Sequence, residues 1–546
     1  MISETASSFL DACVVPETTV DPADPTGSGG GGADALADPS FLASHGTLET
    51  VLTLGGVAVA GLAVAFAAFK LPARVLLGIV LTLGVLQFFG PFGFTSFALL
   101  ATAVLVPGIL WRFGRDTAHL WGWLLAALAI WQTVAVLWSD KVGAAAFGVI
   151  QSVALLGVFV LARAVLREGR GAAGTALLIA APVVALQALA AILFRALPDL
   201  EYAYLTSPIA RVLTEPGVEL VAEGSFDNVM DPCKAGGVFL NGNTASLFFA
   251  VVVCVYAWLA LGSAQRGRFG SQARSATDPV GRFGSQARSA TDLVGHFGSQ
   301  GRSATGVTGV VVAVLSLVAM FATGSKTPLV LIVLLPVAAI VLLVGVRRPA
   351  LAAIGAGALI VLAAVGAFAA TRVAPGFVQQ TGRTLNERFT LWGVVGEAFP
   401  ENWFLGLGFG NWRYLIADRW DDVFPEVPNQ VWPPHNLYLQ AWVDAGILSL
   451  LLTLVLSILP LVLVVRRAYL RRSDPLFSRR TGEVLVVLIG LAWVIGHGAG
   501  DTTVFFGDSH SLPFFAFLVA LACDPSLGER RDPDRVDQDR VTEVSR

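Results

Sequence analysis

Charge is what this chain of 546 residues has least of: Asp, Glu, Lys and Arg make up 14% of it, against about 25% in soluble domains. Lysine is nearly absent, with only Lys70, Lys141, Lys234 and Lys326 among 36 Lys and Arg residues. No basic stripe with interleaved aromatics stands outside the inter-span loops, which argues against a nucleic-acid partner. The four cysteines, Cys13, Cys233, Cys254 and Cys523, show no C-x-x-C or other paired spacing, so no metal or dithiol redox site is expected. Cys254 and Cys523 lie in apolar runs as small packing residues, which leaves Cys13–Cys233 as the one pairing outside them. The first 50 residues contain no Lys or Arg and include G-S-G-G-G-G. They lack the basic start of a cleavable signal and read as a disordered tail, as does 524–546.

What is abundant is apolar sequence, 55% of the chain. Runs of about 17 residues or more recur between residues 51 and 523, each long enough to cross a hydrocarbon core of about 30 Å. Bare backbone polar groups are not tolerated in lipid, so the runs must be helices. The fold class is all-α, a polytopic membrane protein with about 12–13 transmembrane helices. The spans fall near 51–69, 73–89, 94–111, 119–138, 143–166, 172–197, 237–261, 308–323, 327–345, 350–370, 437–465, 482–499 and 512–523. Arg112 and Arg115, Arg167 and Arg170, Arg347 and Arg348, the 262–307 loop and the Arg466–Arg480 stretch then share one side, which the positive-inside rule makes cytoplasmic. Alternation puts the N-terminus, the 198–236 connection and a large 371–436 loop outside. The 262–307 loop carries a 14-residue tandem repeat, G-R-F-G-S-Q-A-R-S-A-T-D-P-V and two near copies. So short a Gly- and Ser-rich period cannot build a solenoid layer. It is either a basic tether for anionic lipid or a duplication tolerated in a loop.

Ionisable residues inside the spans are almost absent, and Arg163 and Arg195 sit near span ends where snorkelling suffices. Polar residues concentrate on the outer side: Asn241 and Asn243 in F-L-N-G-N-T-A, Lys326 in T-G-S-K-T-P, the 371–436 segment, and His497 with Asp501 in G-H-G-A-G-D. The outer segment holds five of the thirteen tryptophans. In it, T-L-N-E-R-F-T-L-W-G-V-V-G-E-A-F reads as an amphipathic helix ended by Pro400, with Leu385, Phe389, Trp392 and Phe399 on one stripe. Arg388 either snorkels from an interfacial helix or presents its planar fork to a phosphate. His435, held extended by Pro433 and Pro434, is either a structural hydrogen-bonder or a base near neutral pH. No second His or acidic residue stands at metal-ligand spacing beside it.

The order F-L-N-G-N-T-A, T-G-S-K-T-P, E-R-F-T-L-W, G-L-G-F-G-N-W, H-N-L-Y-L-Q-A-W-V-D-A-G-I resembles the O-antigen ligase and O-antigen polymerase superfamily of bacterial membrane glycosyltransferases, over roughly residues 236–465. The resemblance implies a multi-pass protein of the bacterial inner membrane with an extracytoplasmic site. There a glycan is moved from an undecaprenyl-pyrophosphate carrier to a glycan or other hydroxyl acceptor, with no cofactor and no metal. It implies that His435 activates the acceptor and that Arg388, Lys326, Arg383, Asn436, Trp392 and Asn243 bind substrate. Asn436, Asp444 and Gly446 shape the motif around His435. Lys326 stands where members typically carry an arginine, so it offers a point charge instead of a bidentate fork. The competing readings are a transporter of a polysaccharide precursor or small anion, and a scaffold that has lost catalysis.

Overall fold

The computed structural model describes residues 66, 69–88, 96–214, 234–239, 241–263, 287–425, 432–476, 478–502, 505 and 508–527. Cys13, Cys233, both tails and nearly all of the run at 51–69 lie outside these. The described chain is helical, with no strand. In order the helices are α1 (Ala73–Leu86), α2 (Phe97–Thr117), α3 (Leu120–Ala135), α4 (Val142–Glu168), α5 (Arg170–Ala196), α6 (Pro198–Leu205), α7 (Pro208–Leu213) and α8 (Gly242–Ser263). Then follow α9 (Ala287–Ala322), α10 (Lys326–Arg347), α11 (Pro349–Val373), α12 (Pro375–Asn402), α13 (Trp412–Val423), α14 (Leu437–Leu470), α15 (Arg479–Gly498) and α16 (Leu512–Cys523). Ten of these are long and apolar enough to cross a membrane, and α1 and α16 are shorter apolar helices. The protein is an all-α polytopic membrane protein.

Local chemistry sets the boundaries. Ser96 and Ser478 cap α2 and α15 through Leu99 N–H and Thr481 N–H, each satisfying an orphan donor of a first turn. Gly169, at φ 112°, breaks α4 from α5. Pro349 and Pro375 open α11 and α12, where the missing N–H costs nothing. Around α4, α8 and α16 the packing is densest, and every residue of α16 is buried. Helix α11 has no buried residue in its apolar window; as a lipid-facing helix it needs none.

The arginine clusters all come to one end of the bundle. Arg112 donates to the Leu71 carbonyl, Arg347 to Thr481 Oγ1, and Arg479 to the Gly262 carbonyl, while Arg170 pairs with Glu483. The starts of α8, α10 and α14 and the end of α15, with Asn243, Lys326, His435 and His497, occupy the opposite end.

Four readings of the sequence need correction. Arg163 does not snorkel: it is buried, and its guanidinium donates to the carbonyls of Thr117 and Cys523, placing a cation at the C-terminus of α16. The bundle also buries Asp444, Glu483, Asp508 and His510, more ionisable groups than a span-by-span reading finds: Arg170 reaches Glu483 and the Gly84 carbonyl reaches His510 from other helices, while Asp508 is met by N–H groups of its own turn. The loop at 262–307 is helical from Ala287 onward; Pro279 of the first repeat copy is replaced by Leu293 in the second, so nothing stops α9 from extending. Pro400 does not end its helix, which runs from Pro375 to Asn402.

Candidate functional site

The 371–436 segment builds a small core with the start of α14. Leu391, Val394 and Val395 of α12 pack with Trp412, Ile416, Trp420, Phe424, Trp442 and Val443. Of the stripe Leu385, Phe389, Trp392 and Phe399, only Trp392 packs against this core, and the other three are exposed. Trp412 and Trp420 are therefore core residues, not sugar platforms.

The G-L-G-F-G-N-W and W-V-D-A-G-I motifs fold against each other backbone to backbone. Helix α14 is interrupted at Ala445 and Gly446, and Gly446 has φ 75°. Leu407 N–H donates to the Val443 carbonyl at 2.8 Å and Ile447 N–H to the Phe404 carbonyl at 3.1 Å, so the 404–407 backbone takes up groups that the break frees. A Cβ at Gly446 would lie 1.9 Å from the Phe404 carbonyl oxygen, and one at Gly406 2.2 Å from that of Trp442. Only hydrogen fits at either position.

This brace presents the N-terminus of α14. Asn436 caps it, accepting from Tyr438 N–H and Leu439 N–H, and its amide donates to the Ala499 carbonyl at 2.9 Å. His435 has φ 47° and is left-handed, not extended: each Pro constrains the residue before it, and His435 follows the pair. Trp392 Nε1–H donates to the Pro434 carbonyl at 2.8 Å, so it ties α12 to the histidine loop.

His435 Nδ1 lies 3.2 Å from Asp501 Oδ1, the two side chains 28% and 19% exposed. Burial alone would raise the Asp501 carboxyl, but the hydrogen bond and charge of His435, with His497 and Arg388 nearby, push it down to about 2. An ionised carboxylate only accepts, so it faces a protonated Nδ1 and turns Nε2, the acceptor of the neutral ring, away from itself. Arg388 Nη1 would lie 3.0 Å from a Cβ at Gly500, and its Nε is buried without a hydrogen-bond partner. His497 is buried beside them, its Nδ1 also without a partner.

The site residues expected from sequence thus fall into three places. Arg388, His435, Asn436 and Trp392 come together around the 497–501 turn. Lys326 and Asn243 sit in an adjoining corner. There Asn241 Oδ1 accepts from Asn243 N–H, and a Cβ at Gly242 would lie 2.7 Å from the Thr323 carbonyl oxygen, in the turn that leads to Lys326. Lys326 opens α10, whose Leu331 packs near Gly496, the neighbour of His497. Arg383 stands apart, 72% exposed and ion-paired with Glu387 at 3.1 Å. Sequence reasoning left Asp501 and His497 out of the site, although G-H-G-A-G-D marked a polar break after an apolar span. Among the described residues no group of three or more His, Cys, Asp or Glu is placed to hold a metal ion.

No curated protein matches the chain. Residues 311–454 match the family model described as O-Antigen ligase, a segment that contains Lys326, Arg388, His435, Asn436 and the broken helix, while His497 and Asp501 follow it. That match identifies an O-antigen ligase domain at 311–454 within this multi-pass membrane protein.

Proposed function

We propose that the chain transfers a glycan from an undecaprenyl-pyrophosphate donor to an acceptor hydroxyl, as a polymerase or a ligase, on the extracytoplasmic face of a bacterial inner membrane. The observation that carries this reading is the His435–Asp501 pair beside Arg388, at the bundle end opposite the arginine clusters. His435 Nε2 takes the acceptor's hydroxyl proton as that oxygen bonds the anomeric carbon. The bond from the anomeric carbon to the diphosphate oxygen breaks, and the lipid diphosphate leaves with the electron pair. Arg388, with an unpartnered buried N–H, and Lys326 offset the charge that develops on the leaving oxygens. Asp501 holds the ring tautomer and stabilises the imidazolium that forms. Asn436 and Trp392 act on the position of His435 rather than on substrate.

The test is glycan transfer in membranes supplied with a lipid-linked donor. His435→Ala and Arg388→Ala should each abolish it, a loss of about 10²-fold or more, while the protein stays in the membrane. Full activity of both variants sinks the mechanism. Solute movement across vesicles with the lipid-linked glycan unaltered would replace it with transport.

A further inference from the structure

The arginine-bearing end of the bundle holds a cleft between α10, α14 and α15 that the site above does not use. Arg347, Arg471 and Arg480 line it with Asp474 and Thr481, over an apolar floor of Leu343, Ala468 and Val484. Three guanidiniums face one carboxylate, and Arg480 approaches that carboxylate only to 3.8 Å. Arg347 is held in place by neutral acceptors, the Leu343 carbonyl at 2.8 Å, Thr481 Oγ1 at 3.3 Å and the Asp474 carbonyl at 3.4 Å. Its Nε is buried without a partner. The nearby Glu483 carboxylate is taken up by Arg170 and Arg479. The cleft is thus a preorganised excess of positive charge at the end of the bundle, where the helices leave the apolar layer. Beside it, Leu342 of α10 and Val462, Tyr469 and Leu470 of α14 are exposed and apolar.

A phosphodiester matches the guanidinium forks, and acyl chains match the apolar flank, so both halves of one molecule are accounted for. We propose that this cleft binds the headgroup phosphate of an anionic phospholipid from the leaflet on the arginine side. The lipid would staple α10 to α14 and α15.

The experiment uses the detergent-purified full-length protein, with thermal unfolding and native mass spectrometry during titration with phosphatidylglycerol, phosphatidylcholine or inorganic phosphate. Phosphatidylglycerol should raise the melting temperature and be retained, while the other two at equal concentration should do neither. Arg347→Gln with Arg480→Gln should weaken that binding at least about fivefold, and the exposed pair Arg348→Gln with Arg472→Gln less than about twofold. Equal losses in the two pairs would mean diffuse attraction and overturn the site. So would inorganic phosphate as effective as the lipid, or an unchanged affinity in the cleft pair. Should Arg347→Gln misfold, Arg480→Gln alone decides: weakened lipid binding supports the site and unchanged binding overturns it.

Discussion

At the residue scale, the informative groups are two carboxyls pushed in opposite directions. Burial would raise Asp501, but its pairing with His435 holds it down to about 2, so it is ionised wherever the protein is used. Asp501→Asn should lower glycan transfer about 10²–10⁴-fold with little change in KM for the donor, because it disturbs the tautomer and not the phosphate contacts. A depressed carboxyl contributes stability that is present above its unfolded value near 4 and lost as pH falls toward 2. The melting-temperature gap between wild type and Asp501→Asn should therefore shrink as pH falls below about 4. Glu201 of α6 runs the other way: burial raises it to about 7, only partly offset by Gly236 N–H and Arg195. Its favourable, protonated state is complete below the usual carboxyl range and is lost as pH rises through about 7. Glu201→Gln should thus match wild type below about pH 4 and be more stable at pH 8.5, by on the order of 3 kcal/mol at most, read from paired melting curves. The candidate residues Arg388 and His435 were legible as residues because each stands in a short polar motif. Asp501 was not attached to them, since 66 positions separate it from His435 and no local spacing reports a contact made by folding.

At the element scale, the broken helix α14 is the device that aims the site. Its interruption at Ala445–Gly446 is filled by the 404–408 backbone, and both glycines are required by contact distances of about 2 Å. Gly446→Ala should cost well over the 1–2 kcal/mol of left-handed strain alone, because carbonyl oxygens must also move. The expected outcome is a large loss of folded protein by fluorescence-detected size exclusion, whereas Gly357→Ala, on open lipid-facing α11, should behave as wild type. Helix existence and type followed from apolar run length. Helix faces did not: α12 buries Leu391, Val394 and Val395 because α13 and Trp442 happen to lie on that side.

At the scale of the whole molecule, the opposed placement of arginines and outer motifs is the governing asymmetry. Reporter fusions after Arg348 and Arg472 should report one side, and fusions after Ser207 and Asp421 the other, with the first pair cytoplasmic by the charge rule. Agreement of all four with one side would dismantle the orientation on which the proposed acceptor face depends. Hydrogen bonds from Arg347 to Thr481 and from Arg479 to the Gly262 carbonyl bring the ends of α8, α10 and α15 together.

Apolar run length and the cost of bare backbone in lipid were enough, in the sequence alone, to determine an all-α multi-pass architecture, and arginine placement supplied the orientation that the reporter fusions test. Tertiary structure decided which polar residues meet. The carboxylate that orients His435, the partners of Arg163 and the brace under Gly446 all come from helices distant in the chain. The physical reason is range: burial and hydrogen-bond satisfaction act through space, and only local periodicity and capping are written in neighbouring residues.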